Sequence, residues 1–384
     1  MKRILFFNYE YPPLGGGAAN ATKHLLLEYA KRDDVVVDLI TSSISKKYEE
    51  DGMDLNIFIH KIPIGKNLNN LNYQTNWELI KYTFKAYFYA RKLIKKNDYD
   101  LTHSFFAVPC GFISLLLTWQ YKIPYIISPR GADVPGYSER FKSIYKILTP
   151  LIKLIWKNAK FVINNSKGLT ELAKKTLPEQ KFEVIFNGVD TNLYRVGERT
   201  KKDREKEFII LCASRLSKRK GFKYAINGFA KIAEKYPQVK IVFAGGDGGA
   251  MDNLKKQVSD LNLNDRIKFT GHYNKKQAPL IYQNADVFVM PSLNEGMSNN
   301  LLEALASGLP VLMTPVGGAE ELITDGENGF LIKTKNSDII ANKLEYLIEN
   351  LDKIEEMGKV SRKLAEQMSW KVVADDYVSF YERI

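Results

Sequence analysis

The chain has 384 residues, 45% hydrophobic, 12% aromatic and 26% charged, with a formal net charge of +12. This composition excludes a disordered, collagenous or disulfide-stapled chain, and the length exceeds one ordinary core, so two α/β domains are expected. Cys110 and Cys212 stand far apart in apolar surroundings and spell no metal spacing, which predicts two buried thiols in a reducing cytoplasm.

The opening apolar run is too short for a leader peptide. It meets Tyr11-Pro12-Pro13 rather than a small-residue cleavage site, so it reads as a first buried strand. From there short runs rich in Val, Ile and Phe alternate with longer amphipathic stretches, the pattern of parallel sheets covered by helices. Strands are predicted at 4–8, 35–41, 57–61, 101–104, 125–128, 161–164 and 184–186. In the second half they are predicted at 208–213, 240–244, 267–270, 287–291, 311–314 and 329–332. The longest later apolar stretch, 112–119, is far short of a membrane span.

Residues 1–190 carry 27 Lys and Arg against 18 Asp and Glu, whereas the remainder carries 29 against 26. A basic first half suits nucleic acid, an acidic substrate or an anionic membrane surface alike. The aromatic and basic segment 81–96, at helical spacing, fits either a membrane interface or a helix docking its aromatic face on the protein's own core. The first domain is expected to end near the Asn187-Gly188-Val189-Asp190 turn and the charged stretch 196–206, dividing the chain into 1–195 and 196–369. Two such doubly wound domains bind ligands at their strand carboxyl ends, which places the expected active site in a cleft across which they face one another.

Three motifs carry chemistry. Gly15-Gly16-Gly17 follows the first strand and precedes a helix, which fits either an anion cradle or a plain turn. Asn20 breaks the dinucleotide pattern, and Asp38 falls inside a strand, so a nicotinamide cofactor is disfavoured. Arg215 and Lys220 leave the strand 208–213 and are spaced to converge on a diphosphate, with Gly221 turning behind them. Lys218 and Arg219 need no role beyond solvation. Glu295-Gly296-Met297-Ser298-Asn299-Asn300-Leu301-Leu302-Glu303 follows the strand 287–291. Ser298 or Asn299 is a good N-cap, so main-chain N–H groups near Asn299, Asn300 and Leu301 point at an anion. Glu295 and Glu303 suit paired hydroxyls, and Glu303, flanked by leucines, needs a partner. Gly246, in Gly245-Gly246-Asp247-Gly248, permits close backbone approach, His272 and Tyr273 suit a nucleobase, and Gly317-Gly318 lines the same edge.

With these residues assembled, the chain resembles the retaining glycosyltransferases of family 4, often called group 1, which have the GT-B fold. The resemblance rests on Gly15 to Gly17, Asn187 to Asp190, Arg215 with Lys220-Gly221, Glu295 with Glu303, and Ser369-Trp370 before a last helix. It implies that this helix, 370–384, packs back on the first domain. It also implies a nucleoside-diphosphate sugar donor, UDP by default, and a saccharide or lipid-linked saccharide acceptor, with no metal and no further cofactor. Gly16 and Gly17 would line the donor site, Glu303 would hold the ribose and Glu295 the sugar hydroxyls. Arg215 and Lys220 would neutralise the departing diphosphate. Many relatives place His-Gly after the strand 125–128, where this chain has Arg130-Gly131. Arg130 would bind the donor or an anionic acceptor, and Asp133 would orient the incoming hydroxyl. His103 reads as a structural histidine before a cleft residue. Cell-surface polysaccharide synthesis at the cytoplasmic membrane face fits the charge pattern. A nucleotide-sugar epimerase or hydrolase, or a non-enzymatic basic binder, are the other readings, and no base-stacking motif supports nucleic acid.

Overall fold

The computed structural model describes residues 1–66, 71, 73–137, 142–274, 276–295 and 297–384. Gly296, part of the third motif, lies outside the described residues. The chain divides into two compact units, Met1–Gly188 with Trp370–Ile384, and Val189–Ser369. Residues 189–195 therefore pack with the second unit rather than the first, because Val189 N–H donates to Met368 O and Arg362 binds the carbonyls of Thr191 and Tyr194.

In the first unit eight strands are described: β1 (Lys2–Phe7), β2 (Val35–Ser43), β3 (Glu49–Asp54), β4 (Ile57–Pro63), β5 (Leu101–Phe105), β6 (Tyr125–Ser128), β7 (Phe161–Asn164) and β8 (Phe182–Val184). Their order is β3-β4-β2-β1-β5-β6-β7-β8, parallel except for β3, an antiparallel edge on β4 that the predicted parallel sheet lacked. Strand alternation sorts the core. Ile4, Phe6, Val37 and Leu39 meet Leu25, Leu26 and Tyr29 of α1 (Gly17–Tyr29) and the helix Trp370–Glu382. Leu5, Phe7 and Ile40 meet Tyr82, Ala86 and Ala90 of α2 (Asn76–Ile94) with Ile113 and Leu117 of α3 (Phe112–Tyr121). Tyr125, Ile127 and Val162 pack on Ile152, Ile155 and Trp156 of α4 (Lys142–Asn158) and on Leu169 and Ala173 of α5 (Lys167–Thr176).

The second unit has six described strands, all parallel: β9 (Phe208–Ala213), β10 (Val239–Ala244), β11 (Ile267–Gly271), β12 (Val287–Met290), β13 (Val311–Met313) and β14 (Gly329–Leu331). The order β11-β10-β9-β12-β13-β14 reverses direction between β9 and β12. At such a switch point successive connections cross to opposite faces and leave a crevice at the strand carboxyl ends. The helices are α6 (Lys201–Lys206), α7 (Phe222–Ala230), α8 (Met251–Asp260), α9 (Ala278–Gln283), α10 (Asn299–Ala306), α11 (Ala319–Leu322), α12 (Ser337–Glu349) and α13 (Leu351–Glu366).

Candidate active site

The second unit gathers most of the expected residues at its switch point. The turn after β9 tightens through Gly221, whose φ of +67° and 2.0 Å approach of the Pro291 carbonyl to a would-be Cβ leave no room for a side chain. This turn carries Lys220 beneath the loop after β12, where Nζ lies 2.6 Å from Glu295 Oε1. Both side chains are buried, at 8% and 7% exposure. Glu295 also accepts from Ser292 Oγ at 3.0 Å and from Arg219 Nη1 at 2.9 Å. Burial pushes the Glu295 carboxyl up, but Lys220 and Arg219 outweigh it and hold the group below the ordinary carboxylate value. Arg219, expected to be merely solvated, thus braces the site and also binds Asn294 O at 2.6 Å. Its basic run gave it the look of a surface residue.

Ser298 caps α10, accepting from Leu301 N–H at 3.3 Å, and its own N–H donates to Gly317 O at 3.2 Å. Met290 Sδ lies 3.8 Å from Ser298 Oγ and 3.9 Å from Lys220 Nζ, so the cap and the ammonium share one neighbour. With no acidic residue in its first turn, α10 presents unneutralised positive potential. Gly317 packs on Glu295, where an added Cβ would come within 2.2 Å of the glutamate Cβ. Arg215 is exposed on the same turn as Lys220, its stem against Gly248. Gly246 O accepts from Leu216 N–H at 2.9 Å, stitching the loop after β10 to the loop after β9, and His272 stands exposed beside Gly246.

Glu303 has the partners its apolar flanks demand. Tyr282 OH donates to Oε2 at 2.7 Å, Asn300 Nδ2 lies 3.1 Å from that hydroxyl and 3.5 Å from Oε2, and Tyr194 packs edge-on against Tyr282. Tyr273 joins Tyr282 and Asn300. Burial, then the Glu303 charge, raises the pKa of both phenols. Tyr194 and Tyr282 went unrecognised in the sequence because neither adjoins a glycine or charge motif. One edge of one sheet therefore joins Lys220, Glu295, Ser298 and Gly317, while α10 carries Asn299, Asn300, Leu301 and Glu303 on from the same cap.

In the first unit the order also reverses, between β1 and β5. There Gly16 N–H donates to Glu10 Oε2 at 3.2 Å, Gly15 has φ +89° against the Glu10 stem, and a Cβ on Gly16 would meet open space. Gly17 begins α1. Burial pushes the half-buried Glu10 carboxyl up to about 7, against the Gly16 N–H. Nothing in the glycine motif had pointed to Glu10.

Two expected roles differ in this unit. Asp133 does not face outward: Oδ1 accepts the N–H of Arg130 at 2.8 Å and of Gly131 at 3.1 Å, while Oδ2 accepts Ala107 N–H at 2.8 Å. It is a buried carboxylate closing its own loop by accepting from three main-chain donors. Arg130 is likewise turned inward, its guanidinium 3.4 Å over the Phe105 ring, with Nη1 on Asn187 Oδ1 at 3.0 Å and Nη2 on Tyr377 OH at 3.2 Å. Buried Nε finds no acceptor among the described residues. His103 bonds Tyr381 OH at 2.7 Å and Ser128 Oγ at 2.9 Å, and burial, with Arg130 nearby, drops its pKa well below the usual value. It is a neutral core histidine.

Two Rossmann-like units, the second with a cation–carboxylate pair and a helix N-terminus at its switch point, define the fold class, GT-B. Residues 15–193 match the family model for Glycosyltransferase Family 4, and 197–364 match the one for Glycosyl transferases group 1. Uncharacterized glycosyltransferase MJ1607 of Methanocaldococcus jannaschii is 28% identical, covering 99% of this chain and 98% of that protein. Among solved structures, sucrose-phosphate synthase from Thermosynechococcus elongatus superimposes with a TM-score of 0.84 at 21% identity, covering 100% of this chain and 99% of that one. Anabaena Alr3699/HepE in complex with UDP and glucose superimposes at 0.74 and 21%, covering 100% of both. The chain belongs with the family 4, group 1 glycosyltransferases.

Proposed function

We propose that the protein moves a hexose-type sugar from a nucleoside-diphosphate donor, UDP by default, to a saccharide or lipid-linked saccharide, with retention and without a metal. The observation that supports this most is the buried Lys220–Glu295 pair beside the N-terminus of α10 at the switch point. In this reading the diphosphate rests on the main-chain N–H groups of Asn299 and Asn300, the Leu301 N–H being held by Ser298, with Arg215 and Lys220 on its oxygens. Lys220 is then shared between phosphate and Glu295, whose other oxygen takes sugar hydroxyls. Glu303, already ordered by Tyr282, accepts from the ribose. His272 and Tyr273 flank the base. Three of the neighbouring solved structures are named for a complex that contains UDP and a fourth for one with UDP-glucose, which favours that nucleotide.

The step balances without an enzyme nucleophile. The bond from C1 of the sugar to the phosphate oxygen breaks, the acceptor oxygen bonds to C1 from the same face, and its proton passes to the departing phosphate. The protein's contribution is positive potential fixed in advance where negative charge develops. We place the acceptor at the cytoplasmic membrane face, in polysaccharide synthesis.

A melting screen against UDP-, GDP- and ADP-sugars tests the donor. Saturation at a hundredfold excess over Kd raises stability by roughly 2.7 kcal/mol. A shift for UDP compounds alone is expected, and none for any nucleotide would overturn the reading. Rapid epimer formation from UDP-sugar without acceptor would instead favour an epimerase.

A further inference from the structure

Helix α2 settles which of its faces meets the core. Tyr82, Ala86 and Ala90 point inward and are fully buried. The opposite face carries Trp77 (72% exposed), Ile80, Phe84 (63%) and Phe88 (54%), at spacings of three, four and four residues. At 3.6 residues per turn these form one apolar stripe turned to solvent. The neighbouring layer repeats it. α4 exposes Ile144, Ile147 (79%) and Leu154, and α3, between α2 and α4 in contact, exposes Trp119.

Charge flanks the stripe. Lys81 and Lys92 are exposed on α2, Lys95 and Lys96 just past its end, and Lys146 on α4, while Lys157 of α4 is paired with Glu179 at 3.2 Å. Residues 142–158 contain no Asp or Glu. The one carboxylate of α2, Glu78, is buried in a capping box with Thr75 and salt-bridged to Lys66 at 3.1 Å. Apolar patches of this extent on a water-soluble surface mark an interaction site. A second copy of the chain would set lysine against lysine, and a neutral apolar partner would leave Lys81, Lys92 and Lys146 unanswered. Among the described residues no helix is long and apolar enough to cross a membrane.

We infer that the outer face of α2, α3 and α4 is a docking surface for an anionic lipid bilayer, with Trp77, Phe84, Phe88 and Ile147 entering the headgroup boundary and the lysines meeting lipid phosphate. Aromatic and aliphatic side chains ringed by lysine on an amphipathic helix are the arrangement that lies in such an interface. The inference rests on the proposed transfer reaction only for its purpose, which is to bring the unit to a lipid-linked acceptor.

The experiment is co-sedimentation of the full chain with phosphatidylcholine vesicles, with and without phosphatidylglycerol, at moderate salt. Binding to the anionic vesicles alone is expected. Phe84→Ser with Phe88→Ser should abolish it, and Lys81→Gln with Lys92→Gln should each lower partitioning about fivefold, as expected for one lysine near such a surface. No binding, binding indifferent to both pairs of substitutions, or a dimer in sedimentation that the serine variant dissolves would each overturn the inference. The UDP-induced melting shift is read on the same variants. Its persistence with vesicle binding lost separates this surface from the donor site, and its absence in the wild type counts against the transfer reading alone.

Discussion

Lys220 was legible as a cation in a turn, but its burial was not, and burial changes what a substitution does. Removing one partner of a buried ion pair leaves the other charge unanswered, which typically costs 3–5 kcal/mol. Because Arg219 still reaches Glu295, Lys220→Met should fall near roughly 3 kcal/mol, and Lys220→Met with Glu295→Met should recover most of that loss in denaturant midpoints. Both variants should be inactive; a single variant as stable as wild type would deny the buried pair. Glu10 gives a pH signature. Its carboxyl rises from 4.5 to about 7 on folding, so the folded chain keeps a proton that the unfolded chain releases. Stability should therefore decline as pH climbs from about 4.5 to about 7 and level off above. Glu10→Gln should lack that slope when the two midpoints are compared across pH. Lys220, Glu295 and Ser298 stand in motifs that their sequence neighbours mark. The contacts of Arg219 and Tyr282 come from residues far away in the chain, which spacing cannot report, and Glu10 is met by Gly16 of a motif that it merely precedes.

Parallel strands buried on both faces print their apolar runs plainly, which is why thirteen strands could be located within a few residues. β3 could not, since Glu49-Glu50-Asp51-Gly52-Met53-Asp54 has no buried side chain and is held by its pairing with β4. An edge strand of that composition protects the sheet from further pairing. The α10 cap was readable because Ser298 precedes a short, largely apolar helix, and its loss has a defined scale. Ser298→Ala should lower stability by about 1 kcal/mol and weaken UDP binding in calorimetry, because the same cap aims the first-turn N–H groups. Unchanged affinity would detach α10 from the nucleotide. For α2 the hydrophobic periodicity alone left both faces eligible, since aromatic residues lie on each, and only the packing shows which face is spare.

The division of the chain is not collinear with its sequence. Unit two is continuous over Val189–Ser369, whereas unit one needs Trp370–Ile384 returned to it. That helix buries Trp370, Val373, Ala374, Tyr377, Val378 and Tyr381, and its two inner tyrosines bond Tyr29, His103, Ser128 and Arg130. At roughly 2 kcal/mol for each larger side chain, their loss rivals the roughly 5–15 kcal/mol that holds a domain. Deleting residues 370–384 should therefore unfold the first unit and spare the second. Hydrogen exchange should show protection kept in β9 to β14 and lost in β1 to β8; uniform loss would mean one cooperative body. Gly188 is where the return is made possible, since any side chain there would strike the Trp370 indole within 2.6 Å. On the ribosome this has a temporal meaning. The second-translated unit is complete before the first, whose sheet waits, with its polar tyrosine–histidine chain unclosed, until the final helix has left the exit tunnel. A message interrupted between the two would thus yield a finished second unit tethered to an unfinished first one, a natural substrate for chaperones and proteases.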